Sequence, residues 1–259
     1  MLSVDRIHVA PVKSLGLAHP DHVHVGAKGI EEDRRFFLLN GQGILLTQRH
    51  IGRLVQVKAE YRIEPEWLSL AFPHGDVTEG AVELGAPVTA RIFGRTVAGR
   101  RLQGVWNDKL SVFCEEPVCL VKSDESGQCY DEYPISLLSQ ASVEALEEQV
   151  GGAATLDSRR FRPNFLIGGS AAHQEDTWLG GEVALGQELR LQVVARDPRC
   201  VITTHDPDTG ETDIDTLGLI ANYRPGNGVA YFGVYGTVVH PGVVSIGDTV
   251  EFASIPLQR

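Results

Sequence analysis

The chain has 259 residues, 42% of them apolar, with 28 glycines, 13 prolines and a formal net charge of −11. Such a composition suits a turn-rich globular protein of one large or two modest domains, and its acidity speaks against nucleic acid, which needs a basic face. There is no apolar run of about 18 residues for a membrane-spanning helix, and the opening MLSVDRIHVAPVKS lacks an apolar signal core, so a cytoplasmic location with no membrane partner is expected.

In chain order, the first elements read as short strands punctuated by Gly, Pro and Asp: 23–25, 35–39, 54–59, 67–72, 88–93 and 95–98. That pattern is typical of a β-barrel or sandwich. A second β-rich set follows at 111–113, 118–122, 164–167, 188–195, 229–234 and 249–252. Two helices are predicted between these strands. One is capped by Ser142, carries Val143, Leu146 and Val150 on one face and stops at Gly151; the other runs from Asp215 to Tyr223 with Leu217, Ile220 and Ala221 inward and ends at Pro225. The fold class is mainly β with α, in two β-barrel-like lobes joined near residue 100, giving domains 1–100 and 101–259.

Several chemistries are excluded by spacing. The glycine pairs at 41/43 and 226/228 lack the third glycine and helix start of a dinucleotide fingerprint, and read as turns. The five lysines lie at 13, 28, 58, 109 and 122, so from Ser123 onward there is no lysine for a pyridoxal phosphate Schiff base. The four cysteines, at 114, 119, 129 and 200, form no C-x-x-C pair and no iron–sulfur cluster run. Cys114, Cys119 and Cys129 lie in apolar surroundings and read as buried, inert thiols.

Cys200 is different. It follows a strand-like run, stands beside Arg196 and Arg199, and precedes the loop His205-Asp206-Pro207-Asp208-Thr209-Gly210. A thiol in electropositive surroundings at a strand exit is a candidate nucleophile or metal ligand. A second segment, Arg159-Arg160-Phe161-Arg162-Pro163-Asn164, places guanidinium forks and an amide ahead of an apolar strand, which suits an anionic ligand rich in heteroatoms. Of its cations, Arg159 and Arg160 read as solvated surface charges.

Phe161-Arg162-Pro163-Asn164, Glu175-Asp176-x-Trp178, Arg199-Cys200-x-x-Thr203-Thr204-x-Asp206-Pro207-x-Thr209-Gly210, Phe232-Gly233-Val234-Tyr235-Gly236, Gly242 and Gly247-Asp248 together resemble the MOSC domain. Pro11-Val12-Lys13-Ser14, Asp33-Arg34-Arg35-Phe36 and Thr47-Gln48-Arg49 resemble the β-barrel that precedes it in two-domain members.

The resemblance implies a molybdenum cofactor, a pterin whose dithiolene holds Mo and whose tail carries a phosphate. Cys200 would supply a soft thiolate to the metal. Lys13, Ser14, Arg34, Arg162 and Asn164 would hold the pterin or its phosphate, although Arg162 and Asn164 also suit a structural role at a strand end. Thr203 and Thr204 would donate to the cofactor or support the loop. Asp206 would handle a proton or simply form the turn that Asp-Pro-Asp-Thr-Gly favours. His205 has no counterpart in the family pattern. Ser136 or Ser139 would approach the pocket, and both aromatics of the Phe232–Tyr235 motif read as core.

The implied activity is reduction of small N-hydroxylated compounds, with electrons from a separate protein of ferredoxin-like, haem or flavin reductase type. The alternatives are a persulfide or cofactor carrier and a non-catalytic barrel that binds a small anion.

Overall fold

The computed structural model of the chain describes residues 1–151, 155–224 and 228–253. It is mainly β, with three α-helices among the described residues and a nearly closed barrel. The largest sheet has seven strands, in the order Ser3–Ile7, Phe165–Gly168, Ile135–Ser139, Tyr231–His240, Leu189–Pro198, Glu182–Leu185 and Val250–Ala253. Its first strand comes from the very start of the chain and pairs antiparallel with Phe165–Gly168. A five-stranded sheet runs Leu45–Leu46, Phe36–Asn40, Val118–Ser123, Arg95–Leu102 and Leu84–Ile92. Two three-stranded sheets complete the fold, one of which joins Gly242–Ser245 to His22–Gly26. The N-terminal segment therefore threads through the C-terminal sheet system, and this brings residues 8–14 alongside residues 162–164.

Alternation explains most of the strands. Leu189, Leu191 and Val193 on the strand Leu189–Pro198 are fully buried, while Arg190 and Gln192 are not. Those leucines and Val193 share a core with Ile135, Leu137, Phe165, Ile167 and Trp178. The strand leaves the sheet at Pro198, and the next residue but one is Cys200.

Four expectations need correction. Residues 111–113 are not a strand but lie inside the helix Trp106–Cys114; Trp106, Leu110 and Cys114 recur every four residues and bury one face. The β-propensity of Val112 and Phe113 misleads because the window is too short to show that period. Residues Gly52–Gln56 form a 3₁₀ turn, and strand begins only at Lys58. The cap of the helix Gln140–Val150 is Ser139, whose hydroxyl accepts from the Ser142 amide at 3.0 Å; Ser142 lies inside the first turn. The helix Thr216–Tyr223 buries Ile220 as expected, but Ala221 faces solvent. Pro225, Gly226 and Asn227 lie outside the described residues.

Candidate active site

The segments that precede and follow Phe36 are zipped together by their backbones. Lys13 N–H donates to Phe36 O at 2.8 Å, Arg34 N–H to Ala10 O at 2.7 Å and Phe36 N–H to Pro11 O at 3.0 Å. This places Lys13, Ser14 and Arg34 side by side. Opposite them lie Arg162 and Asn164 at the mouth of the strand Phe165–Gly168, and Arg199, Cys200 and Thr203 beyond the strand Leu189–Pro198. All of these residues line one cavity of about 440 Å³, within the usual range for small-molecule sites. Ser136 lines it too; Ser139 does not and serves as the helix cap.

Backbone strain is concentrated here. Among the described residues, six non-glycine residues have positive φ, and four of them, Ser14, Arg34, Phe93 and Arg162, line this cavity. Left-handed backbone disfavours side chains with a Cβ and persists where the surroundings hold it. Neither Arg34 nor Arg162 follows the regular course of a strand; each turns its side chain out of the ladder into the cavity.

The charges are arranged asymmetrically. Lys13 Nζ donates to Cys129 O at 2.8 Å and ion-pairs with Asp131, and Arg34 ion-pairs with Asp33. Burial works against charge at all these groups. It lowers the pKa of Lys13, whereas Lys13 and Arg34 overcome it at Asp131 and hold that carboxylate well below the usual range. The Asp131 side chain is 41% exposed, but the space it faces is the cavity. Arg162 has no such partner among the described residues. Its Nη2 donates to Leu15 O at 2.8 Å, and burial, reinforced by the charge of Arg34, lowers its pKa to about 10. It remains a guanidinium at neutral pH, half-buried and without an ion-pair partner among the described residues. Such a group calls for an anion.

Asn164 has a different task. Its Oδ1 accepts from the Ser136 amide at 3.0 Å and hydroxyl at 3.3 Å; its Nδ2 donates to Asp33 at 3.2 Å and to His8 O at 3.4 Å. Both ends of the amide are thus engaged within the protein. Asn164 positions Asp33 and Ser136, and through Asp33 it positions Arg34.

Cys200 begins the 3₁₀ turn Val201–Thr204. The arginines near it in sequence do not touch its thiol. Arg196 lies 4.0 Å from Asp176, and Arg199 is buried, donating to Phe232 O at 2.6 Å and Phe161 O at 2.8 Å and pairing with Asp197 at 2.8 Å. The cation that reaches the sulfur is Arg49, whose Nη2 lies 3.3 Å from Sγ. Arg49 comes from the Thr47-Gln48-Arg49 motif, which sequence reasoning noted but did not place in the site. The ring of Phe93, at a hairpin tip, lies 4.8 Å from the Arg49 guanidinium and 4.9 Å from Lys13 Nζ, and these cation–π contacts hold both cations in place.

The remaining candidates support the loop. Thr203 Oγ1 donates to Cys200 O at 3.0 Å, and Thr204 Oγ1 donates to Val201 O at 2.7 Å; Thr204 does not line the cavity. Asp206 is also outside it. Its Oδ1 accepts the amides of Asp208 at 2.9 Å and Thr209 at 2.7 Å, the geometry of a turn. His205 is buried behind the loop and is absent from the cavity wall. Arg160 is not a surface charge: it is buried and bidentate to Asp213 at 2.5 and 2.6 Å. Tyr235 is not simply core, since it lines the cavity beside Asp197. Cys114 and Cys129 are buried and Cys119 is partly so, and burial pushes all three thiols up, Cys114 to about 11.

The cavity is thus strained and cationic, with one thiol at its wall and groups from both ends of the chain. Residues 1–116 match the MOSC N-terminal beta barrel domain and residues 124–251 match the MOSC domain, and the chain belongs to this family. It is 26% identical to mitochondrial amidoxime-reducing component 1 of Mus musculus, over 96% of this chain and 81% of that protein. It is 27% identical to mitochondrial amidoxime reducing component 2 of Rattus norvegicus, over 96% of this chain and 82% of that protein. The crystal structure of the YUAD protein from Bacillus subtilis aligns over 99% of this chain and 98% of that one, at 12% identity and a TM-score of 0.49.

Proposed function

We propose that this cavity holds the molybdenum cofactor and that the chain reduces small N-hydroxylated compounds with electrons from a separate donor protein of ferredoxin-like, haem or flavin reductase type. The observation that carries the reading is the convergence of Lys13, Arg34, Arg49, Arg162 and the Cys200 thiol, from both ends of the chain, on one cavity. The unpaired Arg162 cation fits a phosphate-bearing ligand. No cluster of three or more His, Cys, Asp or Glu among the described residues is arranged to hold a metal. Cys200 would be the protein's thiolate to the metal.

Lys13, Ser14, Arg34 and Arg162 would hold the phosphate and pterin oxygens, and Asn164 would keep Arg34 and Ser136 in register. Arg49 would hold the Cys200 sulfur in place. When bound, the cofactor supplies two-electron chemistry at the N–O oxygen. The walls exclude bulk water from one side of the substrate and present cations where negative charge develops. The working division into functional units is near residue 100.

A cytoplasmic location is part of the proposal. No described helix is long and apolar enough to cross a membrane, the relatives above are designated mitochondrial, and cell fractionation decides the matter.

The test is metal analysis and pterin fluorescence on the purified chain, followed by reduction of a benzamidoxime with an artificial electron donor. Near-stoichiometric molybdenum and pterin with N-reduction support the reading. Bound cofactor without N-reduction favours the carrier, as does a persulfide on Cys200. A chain that takes up neither metal nor pterin is the small-anion barrel.

A further inference from the structure

Reduction of an N-hydroxylated compound consumes protons. The N–O bond breaks, an N–H and an O–H bond form, and water leaves; two electrons from the donor protein and two protons balance the step. Resting on the function proposed above, the question is which side chain in this cavity can hold a proton for that step.

Three carboxylates line the cavity: Asp131, Glu132 and Asp197. Asp131 is ion-paired to Lys13 and held ionised by Lys13 and Arg34, so it carries no proton near neutral pH. Glu132 is exposed at the mouth. Asp33, just behind the wall, accepts the Ala10 amide at 2.7 Å and Asn164 at 3.2 Å and pairs with Arg34. Asp206, the proton donor considered from sequence, is outside the cavity and committed to a turn.

Asp197 stands apart. It is 2% exposed, on the last turn of the strand Leu189–Pro198, three residues before Cys200. Tyr235, on the neighbouring strand Tyr231–His240, lines the same cavity beside Asp197, and its hydroxyl favours the charged form of the Asp197 carboxyl. Its surroundings are mixed. Arg199 pairs with it at 2.8 Å and favours the charged form, as Tyr235 does; burial disfavours that form most strongly, and Asp131 and Glu132 act in the same sense. The balance pushes the Asp197 carboxyl up to about 6, within reach of protonation and release near neutral pH.

We propose that Asp197, acting through the Tyr235 hydroxyl, holds the proton delivered to the departing oxygen in this cavity. Tyr235 passes its own proton to the oxygen and takes one back from Asp197, which is then reprotonated from solvent.

The test uses the full chain in two states. In the cofactor-free protein, infrared difference titration of the carboxyl band should show a group titrating near pH 6 that is missing in Asp197→Asn and kept in Tyr235→Phe. In the cofactor-loaded protein, Asp197→Asn and Tyr235→Phe should each lower kcat by about 10²-fold, with KM, molybdenum and pterin content unchanged. The fall in wild-type kcat as pH rises past the Asp197 titration should vanish in Asp197→Asn, and Asp197→Glu should restore part of the rate. The absence of an Asp197-dependent band, or a loaded Asp197→Asn within twofold of an active wild type, overturns the proposal alone. A loaded wild type that does not reduce N-hydroxylated substrates overturns the reductase reading and this proposal with it. If Asp197→Asn does not fold, kcat and the pH profile of Tyr235→Phe decide the question.

Discussion

The N-terminal wall of the cavity presents its groups from turns, whereas the C-terminal wall presents them from strand ends. On the first, Lys13, Ser14 and Arg34 are held by backbone bonds between two segments of the chain, and their cations are already paired with Asp131 and Asp33. On the second, Arg162 has no ion-pair partner among the described residues and Cys200 opens a short turn. Lys13 and Arg34 on one wall already have acidic partners, whereas Arg162 on the other is left for a ligand. The contrast shows that a binding site can be strained and satisfied on one side while it is strained and unsatisfied on the other. It also says where a substitution will act on ligand and where on stability.

The largest effect should come from Cys200→Ser. Reduction of an N-hydroxylated substrate by the loaded chain should fall by about 10²-fold or more, because serine is a harder and less acidic ligand. Some pterin should remain, held by Lys13, Arg34 and Arg162. The same change at Cys114, Cys119 or Cys129 should leave the rate within about twofold, since burial keeps those thiols protonated.

Next in size is the split between Arg162 and Asn164. Arg162→Ala should lower pterin retention at least about tenfold and leave the urea midpoint nearly unchanged, because it removes a cation that burial disfavours. Asn164→Ala should do the reverse. It strands the Ser136 and Asp33 groups and should cost about 1–3 kcal/mol for each buried group left unpaired, seen as a lowered urea midpoint in the cofactor-free chain.

The seam between the walls should be sensitive to acid. His8 is buried with Nδ1 3.0 Å from Pro163 O and Nε2 without a partner among the described residues. Burial, with the charge of His19 in the same direction, lowers its pKa from 6.5 to about 4. The unfolded chain therefore binds the proton first. Stability is fully present above pH 6.5 and is lost as pH falls toward 4, by up to about 3 kcal/mol. Urea unfolding across this window should flatten in His8→Asn.

A smaller change isolates the support of the Cys200 loop. Gly233 has φ +84, and a Cβ there would lie 2.7 Å from Leu137 O and 3.1 Å from Arg199 Nη2. Gly233→Ala should cost about 1–3 kcal/mol, measured as a lowered unfolding midpoint, by pushing on the arginine that ties Cys200 to Phe161 and Phe232.

Much of this was legible in the sequence. The strand Leu189–Pro198 announces itself by alternation, and the stop of the helix Gln140–Val150 by Gly151, whose φ of 80 suits glycine. Lys13, Ser14, Arg34, Arg162 and Cys200 were reachable through motifs. What stayed hidden depends on contacts across long stretches of chain. Arg49 meets Cys200 from 151 positions away, so the sequence pointed instead to Arg196 and Arg199, whose charges are spent elsewhere. Asp197 was not singled out because nothing local says that it is buried. Asp206 looked chemical because an acid beside a thiol motif and an acid in a turn share one spelling. Arg160 looked solvated because its partner Asp213 lies in another loop.

The central claim is that both walls grip one molybdenum cofactor, and the amount of molybdenum and pterin bound per folded chain tests it most directly. After incubation with the cofactor and desalting, wild type should hold close to one of each, while Arg34→Ala and Arg162→Ala, one from each wall, should each retain at least about tenfold less. A folded wild type that retains neither molybdenum nor pterin, or wall variants loaded as fully as wild type, would contradict it.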